Sequence, residues 1–137
     1  MKVLSGRGYC VGDVKGSVFM NNVEFKSCKW NCSFINRSDV KSIISYVPQE
    51  DIVFSELTVW ENLYWAGRFH LSSTTGREKI ESMAQKVIRD LALEHICNVQ
   101  VGGMFGGISG GERRRVSIGI ALMSKPRVLL CDEVILP

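Results

Sequence analysis

The stretch VLLCDE at residues 128–133 decides the fold class, because four apolar residues lead directly into two acids. A run that is apolar on both faces suits a central strand of a parallel sheet covered by helices on both sides. Ligands of open α/β sheets bind at the carboxyl ends of such strands, where Asp132 and Glu133 are expected. Taken alone, the pattern also fits an ordinary strand that ends in a solvated acidic loop.

Upstream of this stretch, predicted strands alternate with predicted helices, which indicates an α/β domain. The apolar run at residues 42–47 ends at Pro48 and predicts a second buried strand. An apolar stripe with helical spacing, formed by Ile80, Met83, Ala84, Val87, Ile88 and Leu91, predicts core packing. The remaining predicted elements are a helix end at 1–5, a strand at 16–22, a loop at 26–38, and helices at 58–70, 77–94 and 109–124.

Two further features carry candidate chemistry. Ser109-Gly110-Gly111-Glu112 is a capping box whose two glycines expose amides at a helix start, where backbone donors and the helix dipole favour an anion. A plain capped helix, with the arginine run at residues 113–115 on a solvated face, is the alternative. Gln49 follows the strand that ends at Pro48 and can reach a metal or a water at the sheet edge, although a lone Gln there also fits a polar turn.

Together and in this order, the features resemble the nucleotide-binding domain of ATP-binding cassette (ABC) transporters, over nearly the whole chain. ISYVPQ at 44–49 resembles the Q-loop, and LTVWENL at 57–63 resembles the helix start that follows it. SGGER at 109–113 is similar to the signature usually written LSGGQ, and residues 128–133 look like Walker B with its catalytic Glu. The wording ISGGERRRVSIG, with Glu where most families have Gln, resembles subfamily G, the White/pleiotropic-drug-resistance exporters.

The resemblance implies an incomplete α/β, P-loop NTPase-type domain with a helical subdomain, at roughly residues 56–124, that carries the signature. It also implies that two such domains sandwich ATP and Mg²⁺. Glu133 would then be the general base, Asp132 would support Mg²⁺, and Gln49 would contact Mg²⁺ or the attacking water. The signature residues that would bind the ATP held by the partner domain are Ser109, Gly110, Gly111 and Glu112.

By the same resemblance, ATP hydrolysis drives transport across a membrane, with this domain on the cytosolic side. The implied partners are a second nucleotide-binding domain and the transmembrane domain of the same transporter. No apolar run of the chain reaches the roughly 18–20 residues that span a bilayer. A soluble cassette ATPase of DNA repair or translation, and a truncated non-catalytic cassette, are the alternatives.

Two motifs of the family are absent from the 137 residues. The phosphate cradle G-x-x-x-x-G-K-[ST] does not occur, and residues 134–137 read VILP where the family continues Pro-Thr-Ser-Gly-Leu-Asp. Neither His70 nor His95 stands where the family has its switch histidine. We therefore expect an excised domain that binds ATP weakly, does not hydrolyse it alone, and associates through exposed apolar sheet edges.

Composition excludes several other classes of protein. Hydrophobic residues make up 45% and charged residues 23%, which is globular and neither disordered nor collagen-like. The net charge of +3 is too small to indicate a nucleic-acid partner. Five irregularly spaced cysteines argue against a disulfide scaffold, and no second Cys/His pair joins Cys28 and Cys32 to complete a zinc site.

Overall fold

The computed structural model describes residues 18–20, 23–25, 43–102 and 106–132. Several predictions therefore lie outside the described residues: the helix end at 1–5, the loop at 26–38, the pair Cys28 and Cys32, and Glu133. The described elements are β1 (Val18–Met20), β2 (Val23–Phe25), β3 (Ile44–Val47), α1 (Val59–His70), α2 (Arg77–Asp90), a 3-10 turn (Glu94–Ile96), α3 (Gly110–Leu122) and β4 (Val128–Cys131).

The described strands form two pairs. β1 and β2 are antiparallel, with Val18 opposite Phe25, and β1 lies within the strand predicted at 16–22. The sequence analysis missed β2, because three residues are too few to show an alternating pattern. β3 and β4 are parallel, and the connection between them carries the three α-helices, as a parallel crossover requires.

Helix α3 covers one face of the β3–β4 pair. Val47 of β3 and Ile118 and Ala121 of α3 form a small buried cluster, against which Leu129 and Cys131 of β4 pack. Within the described ranges β4 pairs with β3 alone, and Val128 at its start is 40% exposed. The central position predicted for β4, with helices on both faces, therefore stays a prediction.

A larger apolar core joins the three α-helices. The stripe predicted on α2 is confirmed as core packing, because Ile80, Ala84 and Ile88 are buried and Met83, Val87 and Leu91 pack against the same cluster. The buried members of this cluster are Val59, Leu63, Ala66, Ile80, Ala84, Ile88, Leu93, Val101, Ile108, Val116 and Met123. None of the helices within residues 43–102 and 106–132 is both long and apolar enough to cross a membrane.

Helix α2 is shorter than predicted: it ends at Asp90, whereas the sequence pattern extended it to residue 94. Ala92 has a φ of 52°, in the left-handed region, which stops the helix. The chain then turns so that Leu93 is fully buried. The guanidinium of Arg115 on α3 binds two carbonyls just after the end of α2: its Nη1 donates to Leu91 O at 3.2 Å and to Ala92 O at 3.4 Å.

Candidate functional site

The parallel register of β3 and β4 brings two predicted site residues to one edge. Val47 lies opposite Cys131, so Gln49 and Asp132 both follow the carboxyl ends of their strands. The pairing extends one step beyond the strands, because the amide of Asp132 donates to the carbonyl of Val47 at 3.0 Å. This is the sheet edge at which α/β domains bind ligands.

A buried tyrosine orients the carboxylate of Asp132. The Tyr46 hydroxyl donates to Asp132 Oδ2 at 2.6 Å, and this hydrogen bond is the main cause that raises the pKa of the Tyr46 phenol. The phenol therefore stays a donor. Among the residues described here, no hydrogen-bond donor reaches the other oxygen, Oδ1. The sequence analysis did not identify Tyr46.

The oxygen donors at this edge fit Mg²⁺. Mg²⁺ prefers oxygen ligands and keeps several of its waters, so one or two protein oxygens suffice when phosphates supply others. Asp132 offers a carboxylate and Gln49 an amide, whereas no group of three or more Cys, His, Asp or Glu in the described part could enclose a metal.

Arg114 on α3 ties both strand ends together. It is 9% exposed, and its Nη2 donates to the carbonyl of Asp132 at 2.6 Å. Its Nη1 donates to the carbonyls of Pro48 and Gln49, the latter at 3.2 Å, and to the Asp51 carboxylate at 3.3 Å. One guanidinium thus holds the chain after β3 and the chain after β4.

The solvated face that the sequence allowed for residues 113–115 is wrong. Arg114 is buried, Arg115 binds the carbonyls that end α2, and Arg113 Nη2 donates to the carbonyl of Val101 at 3.4 Å. Consecutive residues of a helix point about 100° apart, so the three arginines span about 200° of the circumference of α3. The middle one, Arg114, is the one that turns inward, and no local pattern in the sequence marks it.

The signature residues lie together at the start of α3. The Glu112 amide donates to Ser109 Oγ at 3.3 Å, and the Ser109 amide donates to Glu112 Oε2 at 2.8 Å, which confirms the capping box. Ser109 and Gly110 are exposed, and a side chain at Gly110 would meet nothing within 4 Å. The cap therefore faces open space.

Glu112 holds the cap as an anion. The Ser109 hydroxyl is the first cause that lowers the pKa of this carboxyl to about 2, followed by the Ser109 amide and by His95. His95 Nε2 lies 2.9 Å from Glu112 Oε1. The sequence analysis considered His95 only as a replacement for the switch histidine and did not predict this contact.

Replacing Ser109 with alanine should raise the Glu112 pKa from about 2 toward its ordinary value of 4.5. Because the folded-state pKa is lowered, the carboxylate stabilises the fold above pH 4.5, and this contribution fades as the pH falls toward 2. The substitution should therefore flatten the acid limb of the stability curve. Carboxyl ¹³C shifts measured against pH would show this, with Glu61 in the Thr58 cap as the unchanged internal control; an unmoved Glu112 titration would contradict it.

Replacing Gly107 with alanine should lower the free energy of unfolding by about 1–3 kcal/mol, the usual cost of overpacking. An added Cβ would lie 2.1 Å from the buried carbonyl of Val101, so the segment that leads into α3 has to shift. Gly110→Ala is the matched control, since its Cβ meets nothing within 4 Å. Urea denaturation of the two variants measures the difference, and equal stabilities would contradict the geometry.

Comparisons with known proteins all identify the same family, the ABC transporters. The family model described as ABC transporter matches residues 1–135. ABC transporter G family member 22 of Arabidopsis thaliana is 45% identical over 95 residues, which cover 69% of this chain and 13% of the relative. ATP-binding cassette sub-family G member 5 of Rattus norvegicus is 34% identical over 134 residues, which cover 97% of this chain and 19% of the relative. The chain thus spans less than one fifth of either relative.

Proposed function

This chain belongs to the ABC transporter family, in its G subfamily, and from that premise we propose that it forms part of the ATP-binding and hydrolysing domain of a membrane transporter. The observation that carries the proposal is the shared edge where Gln49 and Asp132 follow parallel strands. The activity of the whole protein belongs to the proposal, because these residues cover only 13% and 19% of the two relatives described above.

Each residue at this edge would have a separate role toward ATP and its Mg²⁺. Asp132 would hold Mg²⁺ through Oδ1 while Tyr46 fixes Oδ2, and Gln49 would contact the metal or the attacking water. The metal supplies positive charge to the phosphates. Glu133 follows Asp132 directly and would accept the proton of the attacking water as the general base.

The capped start of α3 would serve ATP held by a second domain. Open space at Gly110 and the exposure of Ser109 support this role, since a phosphate has room to approach the amides. The cap belongs to the proposed helical subdomain at roughly residues 56–124. The edge formed by Gln49 and Asp132 is called the metal edge below. Each domain of a pair would thus supply its metal edge to one ATP molecule and the cap at Ser109 to the other.

The proposed partners are a second nucleotide-binding domain and the transmembrane domain of the same transporter, with this domain on the cytosolic side of the membrane. Names of G-family transporters among the relatives support transport over a soluble repair or translation ATPase. A truncated, non-catalytic cassette is the remaining alternative, and it predicts no ATP hydrolysis in any assembly, whether or not nucleotide binds at the edge.

Binding of Mn²⁺·ATP to the purified 137-residue chain tests the proposal. Mn²⁺ replaces Mg²⁺ and broadens nuclear magnetic resonance signals of nearby amides. We expect weak binding that broadens the amide signals of Gln49 and Asp132 first, and a clear loss of this pattern in Asp132→Asn. Asp90→Asn, an exposed acid at the end of α2, is the matched control. Broadening that spares the edge, or that survives Asp132→Asn unchanged, would overturn the proposal.

A further inference from the structure

We propose that Arg114 is a positioning residue that fixes both strand ends of the metal edge to the helix that begins with the signature. The inference rests on the proposed function, because it gives Gln49 and Asp132 a common anchor. Arg114 lies between the cap at Ser109 and the metal edge. It follows Ser109 by five residues, or about 7.5 Å along a helix.

The contacts of Arg114 are divided between the two strands. A guanidinium carries five N–H donors in a rigid fork, so one side chain can bind several acceptors at fixed angles. Nη2 donates to the carbonyl of Asp132 after β4, while Nη1 donates to the carbonyls of Pro48 and Gln49 after β3. Because the acceptors are backbone atoms, the guanidinium fixes the path of the chain at Pro48, Gln49 and Asp132.

A second link fastens the loop after β3 to α3. The carboxylate of Asp51 accepts from Arg114 at 3.3 Å and from the Ser117 hydroxyl at 3.2 Å through the same oxygen, Oδ1. Arg114 and Ser117 are three residues apart and therefore lie on one side of the helix. The loop after β3 thus contacts α3 at Arg114 and at Ser117, one turn further along the helix, and both of these residues are buried.

Such an anchor matters because the chemistry tolerates little displacement. A shift of about 1 Å in the position of a reacting group can lower a rate by about 10²-fold. Through Arg114, a shift of α3 when its cap meets a phosphate would move Gln49 and Asp132 with it. The metal edge and the cap of one domain would therefore be coupled through Arg114.

Arg114→Lys tests the role in the purified chain, with Arg115→Lys as the matched control on the same helix. Lysine keeps the charge, but its single nitrogen cannot span carbonyls on both strands. We expect hydrogen exchange of the Asp132 amide, which donates to Val47, to accelerate roughly tenfold to hundredfold in Arg114→Lys relative to the Ile88 amide in α2. A purely structural role would accelerate both amides equally, and that result would overturn the inference.

Mn²⁺·ATP binding to the same variants gives the second readout. We expect Arg114→Lys to weaken broadening of the Gln49 and Asp132 signals about tenfold and Arg115→Lys to leave it unchanged. Equal weakening in both variants, or none in either, would overturn the inference. If wild-type chain shows no broadening at the edge, the proposed function fails, whereas the exchange pattern still decides whether Arg114 positions the two strand ends.

Discussion

Replacing Arg114 with methionine is expected to lower the free energy of unfolding by about 2–3 kcal/mol, the usual cost of leaving buried acceptors without a charged donor. Methionine fills the space of the aliphatic stem but donates no hydrogen bond. The Asp51 carboxylate then loses its positive partner, and the carbonyls of Pro48, Gln49 and Asp132 lose a donor. Urea denaturation followed by circular dichroism measures the change.

Arg115→Met is the control for that experiment. It removes an arginine from the same helix, but one whose bonds go to the carbonyls of Leu91 and Ala92, where Ala92 is exposed. Water can replace those bonds in part, so we expect a loss of about 1 kcal/mol. Equal losses in the two variants would contradict the view that the strand ends depend on Arg114.

Replacing Glu133 with glutamine is expected to lower ATP hydrolysis by the assembled transporter about 10²- to 10⁴-fold, the usual contribution of a general base. Glutamine keeps the size of the side chain but cannot accept the proton of the attacking water. ATP binding should persist, because the phosphates and the metal contact other groups. Phosphate release and nucleotide binding are measured on the same preparation.

Glu78→Gln on α2 is the matched control, since it removes an exposed acid far along the chain from Asp132. It should leave both ATP binding and hydrolysis unchanged. Hydrolysis that stays near the wild-type rate in Glu133→Gln would contradict the assignment of the base. Hydrolysis by the isolated 137-residue chain, if lost on Glu133→Gln, would contradict the expectation that this chain is inactive alone.

Local patterns made much of the fold predictable. The capping boxes at Thr58 and Ser109 are formed by residues three apart, so the sequence alone indicates where α1 and α3 begin. The apolar stripe of α2 and the apolar run at residues 128–131 likewise carry their signal within one element. The parallel pairing of β3 with β4 follows from the helices between them.

Contacts between distant residues escaped the sequence analysis. The hydroxyl of Tyr46 meets a carboxylate 86 residues away, and Arg114 binds a carbonyl 66 residues away. No spacing rule connects such positions, because Tyr46 meets Asp132 only when β3 pairs with β4, and Arg114 meets Pro48 only when α3 packs against that pair. The early end of α2 has the same origin, since Ala92 adopts its left-handed backbone where the chain turns to bury Leu93.

We propose that the edge carrying Asp132 and Glu133 and the cap at Ser109 of one domain serve different ATP molecules, so that each ATP lies in a composite site made of one domain's edge and the other domain's cap. Two substitutions test this in the assembled transporter: Glu133→Gln inactivates an edge, and Ser109→Arg blocks a cap. When both substitutions are in one domain, each composite site has one defect. When each domain carries one substitution, both defects fall in the same composite site.

We expect ATP hydrolysis to be lost when one domain carries both substitutions, and about half of it to survive when each domain carries one, because one composite site is then intact. Two separately tagged copies, purified through both tags, give the defined pairs, and phosphate release gives the rate. The reverse outcome, with activity only when both substitutions share a domain, would show that the edge and the cap of one domain act on the same ATP molecule, and would contradict the proposed arrangement.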